Sequence, residues 1–420
     1  MVMKSWRQLL GSKRRAVRRG STCLETLENR TVPTVVAVFN TGTAVLTITA
    51  DGDDAGTPAD LTDDTPDDVT VAGTGGSGVD VEDQNGPVSI IDENGDPSFP
   101  LEADLNALVI TASGIFGNTI NVTGVNASDF TSLASLTVNA GAGNDTVEGS
   151  DDFGDVLNGG TGNDKICGGG GDDKITGGGG NDTLEGDAGN DTIRGQAGDD
   201  LIDGGDNDDL LDGGAGKDTL QGGSSDAGND KLDGGDQADL LVGGDGNDTI
   251  NGGNNDDSIN GQAGDDLLNG NQGNDKLLGG DGQDVMFGGN GFDTMSGGDG
   301  DDTLHGQGGN DRIFGDAGND SIFGDAGSDV LVGGDDNDTL LGGDGNDVVS
   351  GGLGDDSVDG QGGTDVVQGG SGTGKDALDV VIGPSSEKKE TKNLHLDDFD
   401  VSTFFFGEFK DYVDVAVTCP

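Results

Sequence analysis

Residues 243–253 read GGDGNDTINGG, and from residue 252 nearly the same phrase returns as GGNNDDSINGQ. Each copy carries Gly at the first, second or fourth place, Asp at the sixth and a large apolar residue at the eighth. A single copy would be a turn followed by a scrap of strand. Here the phrase recurs, and its aspartates are Asp145, Asp155, Asp164, Asp173, Asp182, Asp191, Asp200, Asp209 and Asp218. After a three-residue insertion, Ser224 to Asp226, they resume at Asp230, Asp239, Asp248, Asp257, Asp266, Asp275, Asp284 and Asp293. They continue through Asp302, Asp311, Asp320, Asp329, Asp338, Asp347, Asp356 and Asp365. That makes 25 copies, and two residues beyond every Asp stands a Val, Leu, Ile or Met, from Val147 to Val367. A period of nine sustained at this length is the signature of a β-helix or β-roll array.

The residue types at each place have a physical reading. Glycines permit positive φ and close approach of neighbouring backbones. The fourth place departs from Gly at Asn207, Gln237, Asn255 and Asp336. Three of these four are Asn or Asp, the side chains that best tolerate the left-handed region, so this place carries a dihedral requirement. Six residues then turn tightly with carbonyls directed to a common point, and the Asp adds a carboxylate. Oxygen-only coordination selects a hard cation, and an irregular cage of carbonyls and carboxylates favours Ca²⁺ over Mg²⁺. Zinc is poorly served by two His in the whole chain. The last three residues form a short strand whose middle, apolar member points inward. Two nonapeptides make one coil, so apolar side chains from opposite sides meet in a thin core.

Composition fits a fold that needs a cation. The 420 residues include 85 Gly and 81 acidic against 20 basic side chains, for a formal net charge of -61. Hydrophobic residues make up 30% and aromatics 4%. Low apolar content with high net charge ordinarily leaves a chain disordered, because too little surface is buried to offset chain entropy. Nucleic acid is a poor partner for such a polyanion, whereas a multivalent metal supplies the missing free energy. Cys23, Cys167 and Cys419 are odd in number and far apart, so the fold does not rest on a disulfide framework. No run of eighteen apolar residues encodes a membrane-spanning helix.

These residues resemble the RTX, or haemolysin-type, calcium-binding repeats, written GGxGxDxUx with U a large apolar residue. The likeness covers residues 139–379. It implies an all-β fold, a right-handed parallel β-roll, with each Ca²⁺ between turns one coil apart and shared by aspartates eighteen residues apart, such as Asp248 and Asp266. All the repeat aspartates named above except Asp155 are the implied ligands. Asp155 matches less well, because its turn SDDFGD places Phe153 at the fourth place. The insertion between Asp218 and Asp230 must bulge outward or break the ladder. At a two-repeat offset, 25 turns give two fewer, or at most 23, inter-turn sites.

Outside the array the chain divides into three further segments. Residues 1–33 are basic, with Lys4, Arg7, Lys13, Arg14, Arg15, Arg18, Arg19 and Arg30 against Glu25 and Glu28. Arg14-Arg15 hints at a transport signal, although charged residues follow where an apolar core belongs, and the alternative reading is a disordered basic tail. Residues 24–33, LETLENRTVP, resemble the LExLExRxVP-type segment near the start of certain large bacterial surface or exported proteins. That resemblance points to the cell exterior. Residues 34–138 alternate apolar and polar residues in short bursts (VVAVF, TAVLTIT, LVITA, NTINVTG, SLTVN), a β-rich region of strands and turns. DGDDAG (51–56) and DENGDP (92–97) open like calcium loops but lack the Glu at the twelfth place. Residues 380–420 lose the repeat and gather five of the 14 Phe and the only Tyr, as a cap or docking segment.

Catalytic signatures are absent from the sequence. GGSGTGKD (369–376) approaches a phosphate-binding loop, but Asp376 stands where a hydroxyl would hold Mg²⁺. His305 lies in a repeat and His395 in the tail, leaving no histidine in the first 300 residues for a Ser or Cys relay. Regular outward Thr rows, as crystal binding would need, are also missing: Thr follows the repeat Asp in eight of 25 copies. The expectation is a non-enzymatic, calcium-folded protein, extracellular or on a bacterial cell surface, with a structural, matrix or adhesive role. The alternative is an export-chaperone or anchoring module for an activity encoded elsewhere.

The ninth place suggests a contact surface. From 278 to 341 it reads Leu278, Phe287, Ser296, His305, Phe314, Phe323, Val332 and Leu341, where earlier repeats mostly carry polar residues. Repeats eighteen apart share a face, so Phe287, His305, Phe323 and Leu341 form one row and Leu278, Ser296, Phe314 and Val332 the other. Exposed apolar rows on an acidic solenoid mark contacts. Either a surface, matrix or protein partner engages Phe287, Phe314 and Phe323, or the Phe-rich tail folds back over one row.

Overall fold

The computed structural model describes residues 117–125, 133–223 and 228–370, together with upstream strands between Thr34–Asn40 and Ala107–Ala112 and the strand Val380–Ile382. The basic segment 1–33, most of both calcium-loop-like openings, the insertion 224–226, residues 371–376 of the phosphate-loop likeness and the tail 383–420 lie outside the described residues.

Among the described residues there is no helix. The nonapeptides build an all-β parallel solenoid, a β-roll whose successive strands alternate between two sheets. Thr249–Asn254 pairs in parallel with Lys231–Asp236 behind it and Leu267–Gln272 ahead. The intervening Leu240–Asp245 and Ser258–Ala263 pair with each other in the opposite sheet. The register places Ile250 beside Leu268 and Leu241 beside Ile259, eighteen residues apart, so one coil is two nonapeptides.

Within each strand the three-residue rule of inward and outward side chains holds. The eighth-place residues from Val147 to Val358 are all buried, none more than 2% exposed, and form one continuous core cluster. Val367, in the last repeat, packs against that cluster half-buried. Each coil adds about 4.8 Å and contributes two such side chains. One buried apolar side chain per nine residues is a thin core, and the turns carry the remaining burden.

The insertion does not break the ladder. Leu210 pairs with Lys231 and Thr219 with Leu240, 21 residues apart instead of eighteen, and regular pairing resumes on both sides. The solenoid also continues upstream of the first repeat. Ser135–Ala142 pairs in parallel with Ala107–Ala112, which pairs in parallel with Val45–Asp51. Thr119–Gly124 pairs in parallel with Thr146–Glu148 and with Asp68–Gly73.

The apolar rows occupy the expected registers, but one member sits differently. Phe287, His305, Phe323 and Leu341 are neighbours in one sheet and half-buried. In the other, Phe314 lies between Ser296 and Val332 and is only 6% exposed, so it does not offer the open ring that the sequence suggested. The ninth place lies beside the second place of the next coil's turn. Ser296 Oγ donates to Asp316 and Asn271 Nδ2 to Asn251, and His305 Nδ1 lies 3.2 Å from Asp325 Oδ2. Side chains at that place screen these residues, whereas Phe314 has Gly334 there and is flanked by Ser296 and Val332 of the adjacent coils.

Candidate metal centre

The repeat aspartates form two rows inside the turns. Each backbone N–H in the row donates to Oδ1 of the Asp one coil ahead: Asp248 to Asp266, and Asp266 to Asp284, both at 2.8 Å. There are 23 such bonds from Asp145 to Asp365. The insertion stretches two of them, Asp209 to Asp230 and Asp218 to Asp239, over 21 residues without lengthening the bond. Of the 24 expected ligands, 23 are buried, from Asp145 to Asp356. Asp365, the last, is half-buried.

Oδ2 has a different environment. In Asp164, Asp248, Asp266, Asp302 and their counterparts through most of the array, this oxygen is buried and accepts no hydrogen bond. A buried carboxylate oxygen without a partner is costly unless something positive meets it. The space beside it is built into the repeat. A Cβ placed on Gly243 would stand 2.1 Å from Asp248 Oδ2 and 2.8 Å from the carbonyl oxygen of Gly261, one coil on. The first glycine therefore leaves open a point where a carboxylate oxygen and a backbone carbonyl from the next coil converge. At the fourth place the backbone takes positive φ, as in Gly264 at 139°. Of the five residues that replace Gly there, Asn207, Gln237, Asn255 and Asp336 keep φ between 76° and 82°, and only Phe153, in the irregular Asp155 turn, does not take positive φ.

Electrostatics point the same way. Burial is the main cause that pushes Asp257, Asp302 and Asp338 up to about 8 and Asp173 up to about 9. The backbone hydrogen bond to Oδ1 pulls each down, while carboxylates on adjacent rungs push it up again. A metal-free row resists ionisation, and a divalent cation between rungs removes that resistance. Among the described residues no three His, Cys, Asp or Glu side chains converge on one point. The donors that fit a cation here are one carboxylate per turn and backbone carbonyls, the hard-oxygen set that suits Ca²⁺.

Two rungs depart from the pattern. Asp155 joins the ladder, with its N–H 2.6 Å from Asp173 Oδ1. Its Oδ2, however, accepts from Ser150 N at 2.7 Å and from Ser150 Oγ at 3.1 Å, so the protein itself satisfies this carboxylate. Upstream of Asp145, Asn118 holds the Asp place. Its N–H and Nδ2 both donate to Asp145 Oδ1, and Nδ2 also donates to Ala140 O at 3.0 Å. A neutral amide thus closes the upstream end of the carboxylate row. The signal was in the sequence, since Asn118-Thr-Ile120 has the repeat's Asp-x-U form with Asn for Asp and a fully buried Ile.

Two further regularities were not extracted from the sequence. The second place takes a side chain at positive φ in eight turns: Asp187, Gln196, Gln262, Asn271, Gln307, Asp316, Asp325 and Gln361. The fifth place builds a second, exposed ladder running in the opposite sense. Asn247 N donates to Asn229 Oδ1 one coil back, and Asp265 N to Asn247 Oδ1, both at 2.9 Å.

These stacked turns, each with a buried carboxylate facing the next coil's carbonyl, define a calcium-binding solenoid. The family model for RTX calcium-binding nonapeptide repeats matches overlapping stretches that together run from residue 137 to 375. The chain belongs to that family, whose repeats bind Ca²⁺ at multiple sites. No curated protein matches the chain.

Proposed function

We propose that this chain is an exported or cell-surface protein whose roll folds when Ca²⁺ binds, serving a structural, matrix or adhesive role without catalysis. The ligand set is the 24 aspartates other than Asp155, each acting through Oδ2 with turn carbonyls of its own and the adjacent coil. The observation that supports this reading is the row of buried Oδ2 atoms without partners beside open glycine cradles. Bound Ca²⁺ would neutralise facing carboxylates and tie each turn to the next coil. The protein's own part is to exclude water, hold Oδ1 by the backbone N–H, and present Oδ2. The low calcium of a cytosol would leave such a chain unfolded for export, and higher calcium outside would fold it.

Circular dichroism of the full chain in chelator, then in millimolar Ca²⁺, tests the folding step. Strand signal is expected to appear cooperatively with Ca²⁺ and not with equal Mg²⁺. Identical spectra in chelator and Ca²⁺ would refute the reading. Fractionating cells, surface and medium tests the location, and retention in the cytosol at steady state would refute that part.

A further inference from the structure

The outer face of one sheet changes character close to where the chain leaves the array. Its ninth-place row reads Asp212, Asp233, Asn251 and Asn269, then Phe287, His305, Phe323 and Leu341. The rings are stacked: Phe287 and His305 centroids lie 5.4 Å apart at 14°, and His305 and Phe323 lie 4.3 Å apart at 5°. The seventh-place residues beside them, Val285, Thr303, Ser321 and Thr339, are uncharged. On a chain of net charge -61, this is a ring-lined strip four coils long with one carboxylate against it, Asp325 beside His305. The rings cover one another's faces and leave their outer edges half-buried.

The same sheet carries the exit. Val380–Ile382 forms its next rung after Ser357–Asp359, with Ile382 beside Asp359 and Asp359 beside Leu341. Ile382 therefore stands in the register of the row itself, five coils from Phe287, about 24 Å at ~4.8 Å per coil. The segment 383–393 spans up to ~36 Å when extended, enough to bring residues 394–420 to any point on the row. Those residues include Phe399, Phe404, Phe405, Phe406, Phe409 and Tyr412, then alternate as Val413, Val415 and Val417. That period of two suits a strand with one buried face. The segment is also acidic (Asp397, Asp398, Asp400, Asp411, Asp414), and the strip sets against it the single carboxylate of Asp325, which His305 contacts, in place of a carboxylate row.

We propose that the C-terminal segment 394–420 of this same chain docks along the Phe287–His305–Phe323–Leu341 row. Tethering at Ile382 holds it at an effective concentration on the order of millimolar, which a free partner does not match. The rings are the recognition element, and aromatic side chains of the segment meet their open edges. The docked segment covers the side of the last coils and resists their fraying.

Two measurements on the full chain in saturating Ca²⁺, with strand content verified by circular dichroism, test this. Benzoylphenylalanine placed at position 323 and irradiated is expected to cross-link to peptides within 394–420 of its own chain, as judged by mixing isotopically labelled and unlabelled protein. Cross-links only between chains, or none to this segment, would overturn the proposal. Independently, Phe287→Ser with Phe323→Ser is expected to speed amide exchange in 394–420 at least tenfold. Leu278→Ser with Val332→Ser, on the opposite sheet, is expected to leave it unchanged. Equal exchange in the wild type and the Phe287/Phe323 variant would also overturn it.

Discussion

Asp248 and Asp266 are joined by one hydrogen bond, from the N–H of the first to Oδ1 of the second at 2.8 Å, while Oδ2 of each stays buried without a partner. One carboxylate thus performs two separable tasks. Oδ1 holds the coil repeat in register, and Oδ2 is left for a cation.

Substitutions at Asp266 separate these tasks. Asp266→Asn keeps an Oδ1 acceptor for Asp248 N–H but removes the charge. Asp266→Ala removes both and leaves a buried donor unmet, at a cost of about 1–3 kcal/mol. Asn is expected to lower the Ca²⁺ stoichiometry by one or two with a small loss of thermal stability. Ala is expected to lower it equally and to melt earlier. Calorimetric titration and thermal melts compare them, and identical melts would argue against a register role for Oδ1. Distant coils should bind normally in both, because stacked repeats couple mainly to neighbours.

A second test concerns the first glycine. Gly243→Ala places a methyl where Asp248 Oδ2 and Gly261 O converge, so local binding is expected to weaken at least tenfold while strand content at high Ca²⁺ is kept. A side chain already stands at this place in two turns, Ala140 before Asp145 and Ser150 before Asp155, and Ser150 itself donates to the Asp155 Oδ2. By contrast, Asn255→Gly is expected to cost little, because Gly holds the equivalent fourth place at positive φ in most other turns, as Gly264 does at 139°. If Gly243→Ala and Asn255→Gly behaved alike in a Ca²⁺ titration, the cradle at the first place would lose its meaning.

The carboxylate rows and the core were legible in the sequence because they repeat at fixed spacing and depend only on their own turn. Val147 through Val358 are buried for that reason, and the 23 inter-turn pairs match the number that a two-repeat offset allows. What escaped depends on contacts between coils. Phe314 looked outward by strand alternation, yet neighbouring coils bury it. Asn118 lay in a burst that read as an ordinary strand, since one Asn for Asp hides a rung outside the regular count. The fifth-place ladder was hidden because Asn and Asp are common everywhere in this chain. Only a structure shows that Asn247 reaches back to Asn229 while Asp248 reaches forward to Asp266.

The pH response stems from the raised carboxyls. Burial lifts Asp257, Asp302 and Asp338 from 3.8 to about 8 and Asp284 and Asp320 to about 6. A group whose pKa is higher in the fold stabilises the metal-free roll fully below its unfolded value, and that support fades as pH rises through the folded value. In chelator, strand content is therefore expected to grow as pH falls from 8 to 5. In Ca²⁺ the same protons compete with metal, so the half-saturating concentration is expected to rise over the same interval, up to about tenfold per pH unit for each proton displaced. Circular dichroism in chelator and Ca²⁺ titrations at pH 8, 7, 6 and 5 check both halves, and flat profiles in both would contradict them.

The exposed fifth-place ladder can be broken and mended without touching the metal rows. Asn229 accepts from Asn247 N at 2.9 Å and its Nδ2 donates to Asp208 Oδ1 at 3.2 Å, so Asn229→Ala removes two bonds and is expected to cost about 1–3 kcal/mol, at about 0.5–1.5 kcal/mol for each ordinary hydrogen bond. Nine residues on, Ala238 holds the fifth place and has no side-chain acceptor for Asp256 N, eighteen residues further along. Ala238→Asn supplies one in the geometry that Asn229 already uses, and is expected to stabilise by up to about 1 kcal/mol. Because fifth-place side chains face solvent and lie outside the Oδ2 cradles, neither change should alter Ca²⁺ stoichiometry. Denaturant unfolding in saturating Ca²⁺ measures both. If Asn229→Ala were neutral, the ladder would be a by-product of coil spacing, and if Ala238→Asn destabilised the roll, the turn at Ala238 would have to differ from its neighbours.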